Sequence, residues 1–152
     1  MLKMLYVLIV VAGGLVAGLQ ATMNADLSKR VGALESSFVT FAGGATLLLL
    51  LTLLFGSGKL NLLAQAPKWQ LTGGAMGVII MASIIFGIPV LGAGPAILAS
   101  IAGQLLLGMA VDHFGLFGVT RTPFGALRAA GVLMMLVSVL IVVGTQAKTP
   151  SQ

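Results

Sequence analysis

The sequence predicts an all-α membrane protein with five transmembrane helices, and three observations carry that prediction. Hydrophobic residues fill 59% of the 152 positions and glycine another 21 positions, far above the roughly 45–50% usual for soluble domains counted with glycine. Charged residues are only 7%, where an ordinary globular surface carries about 25%. The apolar residues also gather into five stretches of about 20, the length an α-helix needs to cross a hydrocarbon core about 30 Å thick. A chain this apolar cannot cover itself with water-compatible side chains.

The first span is predicted over Leu2–Met23. Lys3 followed by an apolar run opens like a secretory signal, but residues 18–24 offer no good small-x-small cleavage site, so the segment is expected to stay as a spanning helix. A polar connector with Asn24, Asp26, Lys29, Arg30 and Glu35 should follow. The second span, Ser36–Phe55, ends in the run Leu47–Leu51. In the next connector, Trp69 beside Lys68 is the pair expected at the headgroup level. The third span, Leu71–Val90, gives way at Gly92-Ala93-Gly94-Pro95 to a tight reversal and then the fourth, Ala96–His113. No charge occurs between Lys68 and Asp112, so this hairpin has an uncharged tip. The fifth span, Gly125–Gly144, carries one charge, Arg128, and leaves a short polar tail over 145–152.

The net charge of +5 does not point to nucleic acid. Its eight lysines and arginines sit singly at segment ends, without a basic stripe interleaved with aromatics. They read as anchors to membrane lipid and as topology signals. Lys3, Lys59, Lys68, Arg121 and Arg128 fall on one side, and Lys29, Arg30 and Lys148 on the other. Five against three favours a cytoplasmic N terminus only weakly and also permits insertion in both orientations.

Within the spans, Gly14 and Gly18, Gly73 and Gly77, and Ala99 and Gly103 repeat small residues at a spacing of four. Such faces let helices approach closely, either within the chain or between two chains. Ser100, Gln104 and Asp112 share one face of the fourth span. Gln104 lies near mid-bilayer, where its amide needs a partner from a neighbouring helix or a substrate in a cavity. Gln20 and Asn24 share a face of the first span at shallower depth, suited to the rim of such a cavity or to anchoring the connector. Asp112 and His113 are candidates for proton coupling, with an ion pair from Asp112 to a nearby arginine as the structural alternative. No nucleophile–base pair, metal-ligand cluster or phosphate loop is present, so neither an enzyme nor a metal or other cofactor is expected.

One ordered set of residues adds a family. Gly14 through Leu27 reads G-L-V-A-G-L-Q-A-T-M-N-A-D-L, followed by Phe41-Ala42-Gly43-Gly44, Trp69 with Gly73-Gly74, Gly103-Gln104, Asp112-His113-Phe114-Gly115 and Arg128. This set resembles the YdcZ-like half-size members of the drug/metabolite transporter superfamily across nearly the whole chain. The resemblance implies a five-helix repeat of the bacterial inner (plasma) membrane that forms one half of an inverted-repeat transporter. An odd number of crossings means that a fused duplicate is automatically inverted, so a separate repeat needs an oppositely inserted mate. That mate would be a second copy, giving an antiparallel homodimer, or a paired homologous chain, around a small-molecule substrate. A non-transporting assembly or accessory subunit is the alternative reading of the same small-residue faces.

Overall fold

A computed structural model describes residues 2–146. Among them are five long helices and no strand: α1 (Leu2–Val31), α2 (Ala33–Phe55), α3 (Gly73–Leu91), α4 (Ala93–Phe114) and α5 (Ala126–Gln146). All five are long and apolar enough to cross a membrane. The 3-10 turns 60–65 and 68–72 lie between α2 and α3, and a third at 116–118 lies between α4 and α5. The predicted polar tail falls largely outside the described residues.

The polar segment after the first apolar stretch is not an irregular connector, because α1 continues through it to Val31. Its polar side chains have local partners that leave the helix intact. Ser28 donates its hydroxyl to the Ala25 carbonyl, and Lys29 pairs with Asp26 at 3.2 Å one turn away. Lys29 and Arg30 also sit in the last turn, where cations complement the negative end of the helix dipole. Thirty residues rise about 45 Å, more than the hydrocarbon thickness.

A single residue joins α1 to α2, and a single residue joins α3 to α4. They are Gly32 (φ 102°, ψ 157°) and Gly92 (φ 82°, ψ 161°), each in a backbone region essentially restricted to glycine. At each corner the glycine N–H closes the preceding helix, on Ser28 O and Ile88 O respectively, and the glycine carbonyl opens the next, accepting from Ser36 and Ala96. The chain divides into two units, Met1–Phe86 and Gly87–Gln152, with α3 passing from one to the other.

Candidate functional site

In the first unit the polar residues close on one another. Asn24 is 7% exposed, Ser36 0% and Ser37 3%. The Ser36 hydroxyl donates to the Asn24 carbonyl at 2.8 Å, and the Thr40 hydroxyl reaches the Asn24 side-chain oxygen at 2.7 Å and the Ser36 carbonyl at 3.1 Å. The Asn24 amide nitrogen donates to the Met81 sulfur at 3.2 Å, a weak acceptor that brings in α3. The corner at Gly32 makes this cluster, because it sets the start of α2 beside the end of α1. Asn24 therefore sits buried among hydroxyls of α2, and Gln20, one turn earlier, is exposed. Thr40 and Met81 carry no charge and no motif, so the sequence alone gave no sign that they meet Asn24.

The glycine faces divide. A Cβ at Gly77 would meet the Phe41 ring at 3.4 Å, an ordinary contact between α3 and α2. At Gly14, Gly73 and Gly103 no atom of the same unit lies within 4 Å of where a Cβ would stand.

In the second unit the polar residues stay accessible. On α4 the Gln104 amide donates to the Ser100 hydroxyl at 3.1 Å, so the two residues expected to share a face are joined along it. Two turns further on, Asp112 faces Arg128 of α5 at 3.8 Å, with both side chains 43% exposed. The pair stands at the edge of a cleft of about 530 Å³ between α4 and α5, walled by Leu105, Met109, Val132 and Met135 and passing Gly131. Unbranched methionines adapt to irregular apolar shapes, so two of them give these walls tolerance. Arg128 was legible as the one charge of its span. Met109, Met135 and Gly131 were not, because their role depends on which face of α5 turns toward α4.

The segment after α4 is stitched to the end of that helix. The Thr122 N–H donates to the Asp112 carbonyl at 2.8 Å and the Arg121 Nε to the His113 carbonyl at 3.0 Å, occupying acceptors that a helix C terminus otherwise leaves open. The Phe124 N–H donates to Nδ1 of His113 at 3.1 Å. That bond requires Nδ1 to carry a lone pair, so the neutral ring bears its proton on Nε2. The His113 ring also meets Phe114 edge-on, with centroids 4.9 Å apart. A smaller hollow of about 380 Å³ lies beside it, bounded by Leu106, Ala110 and Phe124. Among the described residues no group of His, Asp and Glu is placed to hold a metal ion.

The arrangement can seat an apolar or amphiphilic molecule beside a breakable ion pair. No curated protein and no solved structure matches the chain. The family profile described as "Putative inner membrane exporter, YdcZ" matches residues 5–141, nearly the whole sequence. With its five span-length helices, the chain belongs to this YdcZ family of multi-pass inner-membrane proteins and is of transporter rather than enzyme type.

Proposed function

We propose that the chain is a half-size secondary transporter of the drug/metabolite transporter type, exporting a small metabolite or amphiphile by alternating access as an antiparallel dimer. The observation that carries this reading is the α4–α5 cleft, with an apolar, methionine-bearing wall and a half-exposed Asp112–Arg128 pair at its edge. An amphiphile would lay its apolar body along Met109 and Met135 and present its polar end to the pair. Ser100 and Gln104 extend the polar face of α4 away from the cleft, and Gln20 offers a further exposed amide on α1.

Asp112 and His113 supply the coupling in this proposal. Protonation of Asp112 removes its attraction for Arg128, and protonation of His113 at Nδ1 removes the acceptor for the Phe124 N–H. Both events loosen α5 and its leading segment from the end of α4. The open faces at Gly14, Gly73 and Gly103 suit close approach of a second, inverted chain. Rocking of the two copies against each other would then expose the cleft to either side in turn.

Gly131 provides the test. It borders the cleft, and a Cβ there meets no atom within 4 Å, so Gly131→Leu should branch into the cleft without moving the backbone. In reconstituted vesicles the variant should lose transport by about tenfold or more, the equivalent of about 1.4 kcal/mol, and keep its thermal stability. Unchanged transport would remove the cleft from the substrate path. Sidedness of tags on both termini tests the dimer, with a mixed population expected for self-pairing in opposite orientations.

A further inference from the structure

We propose that residues 57–72 form a membrane-surface element that lies within the headgroup layer and binds anionic phospholipid through Lys59 and Lys68. The segment is tethered at both ends to span-length helices, with α2 ending at Phe55 and the turn 68–72 running directly into α3 as the first residues of the span-length stretch Lys68–Leu91, so it emerges and returns at one face of the bilayer. It is folded between these points. The 3-10 turns 60–65 and 68–72 hold it through bonds from Leu62 N–H to Lys59 O, Ala66 N–H to Leu63 O, Gln70 N–H to Pro67 O and the Thr72 hydroxyl to Trp69 O.

What the folded segment presents is unsuited to water. Leu60, Leu62, Leu63, Trp69 and Leu71 are between 46% and 64% exposed. With three residues per turn, Leu60 and Leu63 stack along one edge of the first turn, Leu62 shares the next edge with Gln65, and Asn61 with Ala64 makes the third. This gives one wholly apolar edge flanked by two mixed ones, with the amides of Asn61 and Gln65 on those flanks. Each turn is preceded or opened by a lysine, Lys59 at the first and Lys68 at the second. Lysine stems can lie along apolar surface while the ammonium reaches a phosphate, and indole rings settle at the headgroup level. No acidic residue occurs between Glu35 and Asp112, so nothing on this stretch of chain opposes an anionic surface. The occupant that matches an apolar edge, a tryptophan and two unopposed lysines is the lipid interface itself. This inference does not depend on the transport reading or on dimer formation.

Trp69 is the single tryptophan of the chain, so its fluorescence reports this element alone. The full chain would be reconstituted into phosphatidylcholine vesicles with and without phosphatidylglycerol. Bromines would be placed either near the carbonyl end or near the methyl end of the acyl chains. The expected result is strongest quenching by the carbonyl-end bromines and weak quenching by aqueous iodide. The emission should shift to shorter wavelength on adding phosphatidylglycerol, and this shift should be lost in the double variant Lys59→Gln, Lys68→Gln. Strong iodide quenching in both lipids would place the segment in water and overturn the proposal. So would strongest quenching at the methyl end, which would place the indole in the bilayer interior, or emission indifferent to phosphatidylglycerol in the wild-type chain.

Discussion

Around the Gly32 corner, Asn24, Ser36 and Ser37 are 7%, 0% and 3% exposed, with the Ser36 hydroxyl bonded across to the Asn24 carbonyl and that of Ser37 to Ala33 in its own helix, whereas Asp112 and Arg128 between α4 and α5 are each 43% exposed and meet at 3.8 Å. The buried polar groups of the first unit are satisfied inside it. In the second unit this pair is left at the edge of a cleft, in contacts that a proton or a ligand can replace. A buried polar group in an apolar medium must be satisfied permanently, because leaving it unpaired costs about 1–3 kcal/mol. A half-exposed ion pair carries no such penalty and contributes little to stability. A chain with 7% charged residues thus commits some polar groups to holding helices together and leaves others accessible, where the proposed transport would use them.

The hardest test of this division is at the two corners. Gly32→Ala should destabilise the protein by about 1–3 kcal/mol through backbone strain, while the Glu35 carboxylate that its new Cβ would meet is the end of a flexible side chain and can swing away. Gly92→Ala shares the backbone conformation, so it carries the same kind of strain at the other corner. A larger loss for Gly32→Ala in mixed-micelle unfolding would show that the buried cluster depends on its corner; equal losses would break that link.

Asn24→Leu comes next. It removes the acceptor for Thr40 and the donor to Met81, and Thr40 keeps the Ser36 carbonyl. Interhelical bonds in membranes average about 0.6 and reach about 1.7 kcal/mol, so a stability loss in that range is expected with transport retained. Loss of transport from a stably folded variant would make Asn24 a substrate contact and erase the contrast between the units.

Asp112→Asn should do the reverse. Its stability change should stay within about 1 kcal/mol, since the pair it breaks is half exposed, while the response of transport to a pH gradient flattens. A normal response would exclude Asp112 from coupling. The smallest effect is expected at Gly77→Ala, where the added methyl meets Phe41 at ordinary contact distance. A shift within about 0.5 kcal/mol would sharpen the picture of α3 lying against α2 without needing a glycine between them.

Residue order is enough to mark a five-helix membrane chain of a recognisable family. Hydropathy over about 20 residues is a local property, and the ordered set from Gly14 to Arg128 can be read without knowing any contact. Charges near spans are also few enough to single out Asp112 and a nearby arginine as a candidate pair, and the fold selects Arg128. Asn24 looked from its position like a rim or connector residue, and only the tertiary structure decided that α1 runs on to Val31 and that Thr40 and Met81 enclose its amide. The same is true of the wall formed by Met109 and Met135. The physical reason is that apolarity all around a helix shows that it is buried in lipid or protein without showing which face meets which neighbour. That choice is made by packing at the corners and between α4 and α5, over distances along the chain that no local pattern spans.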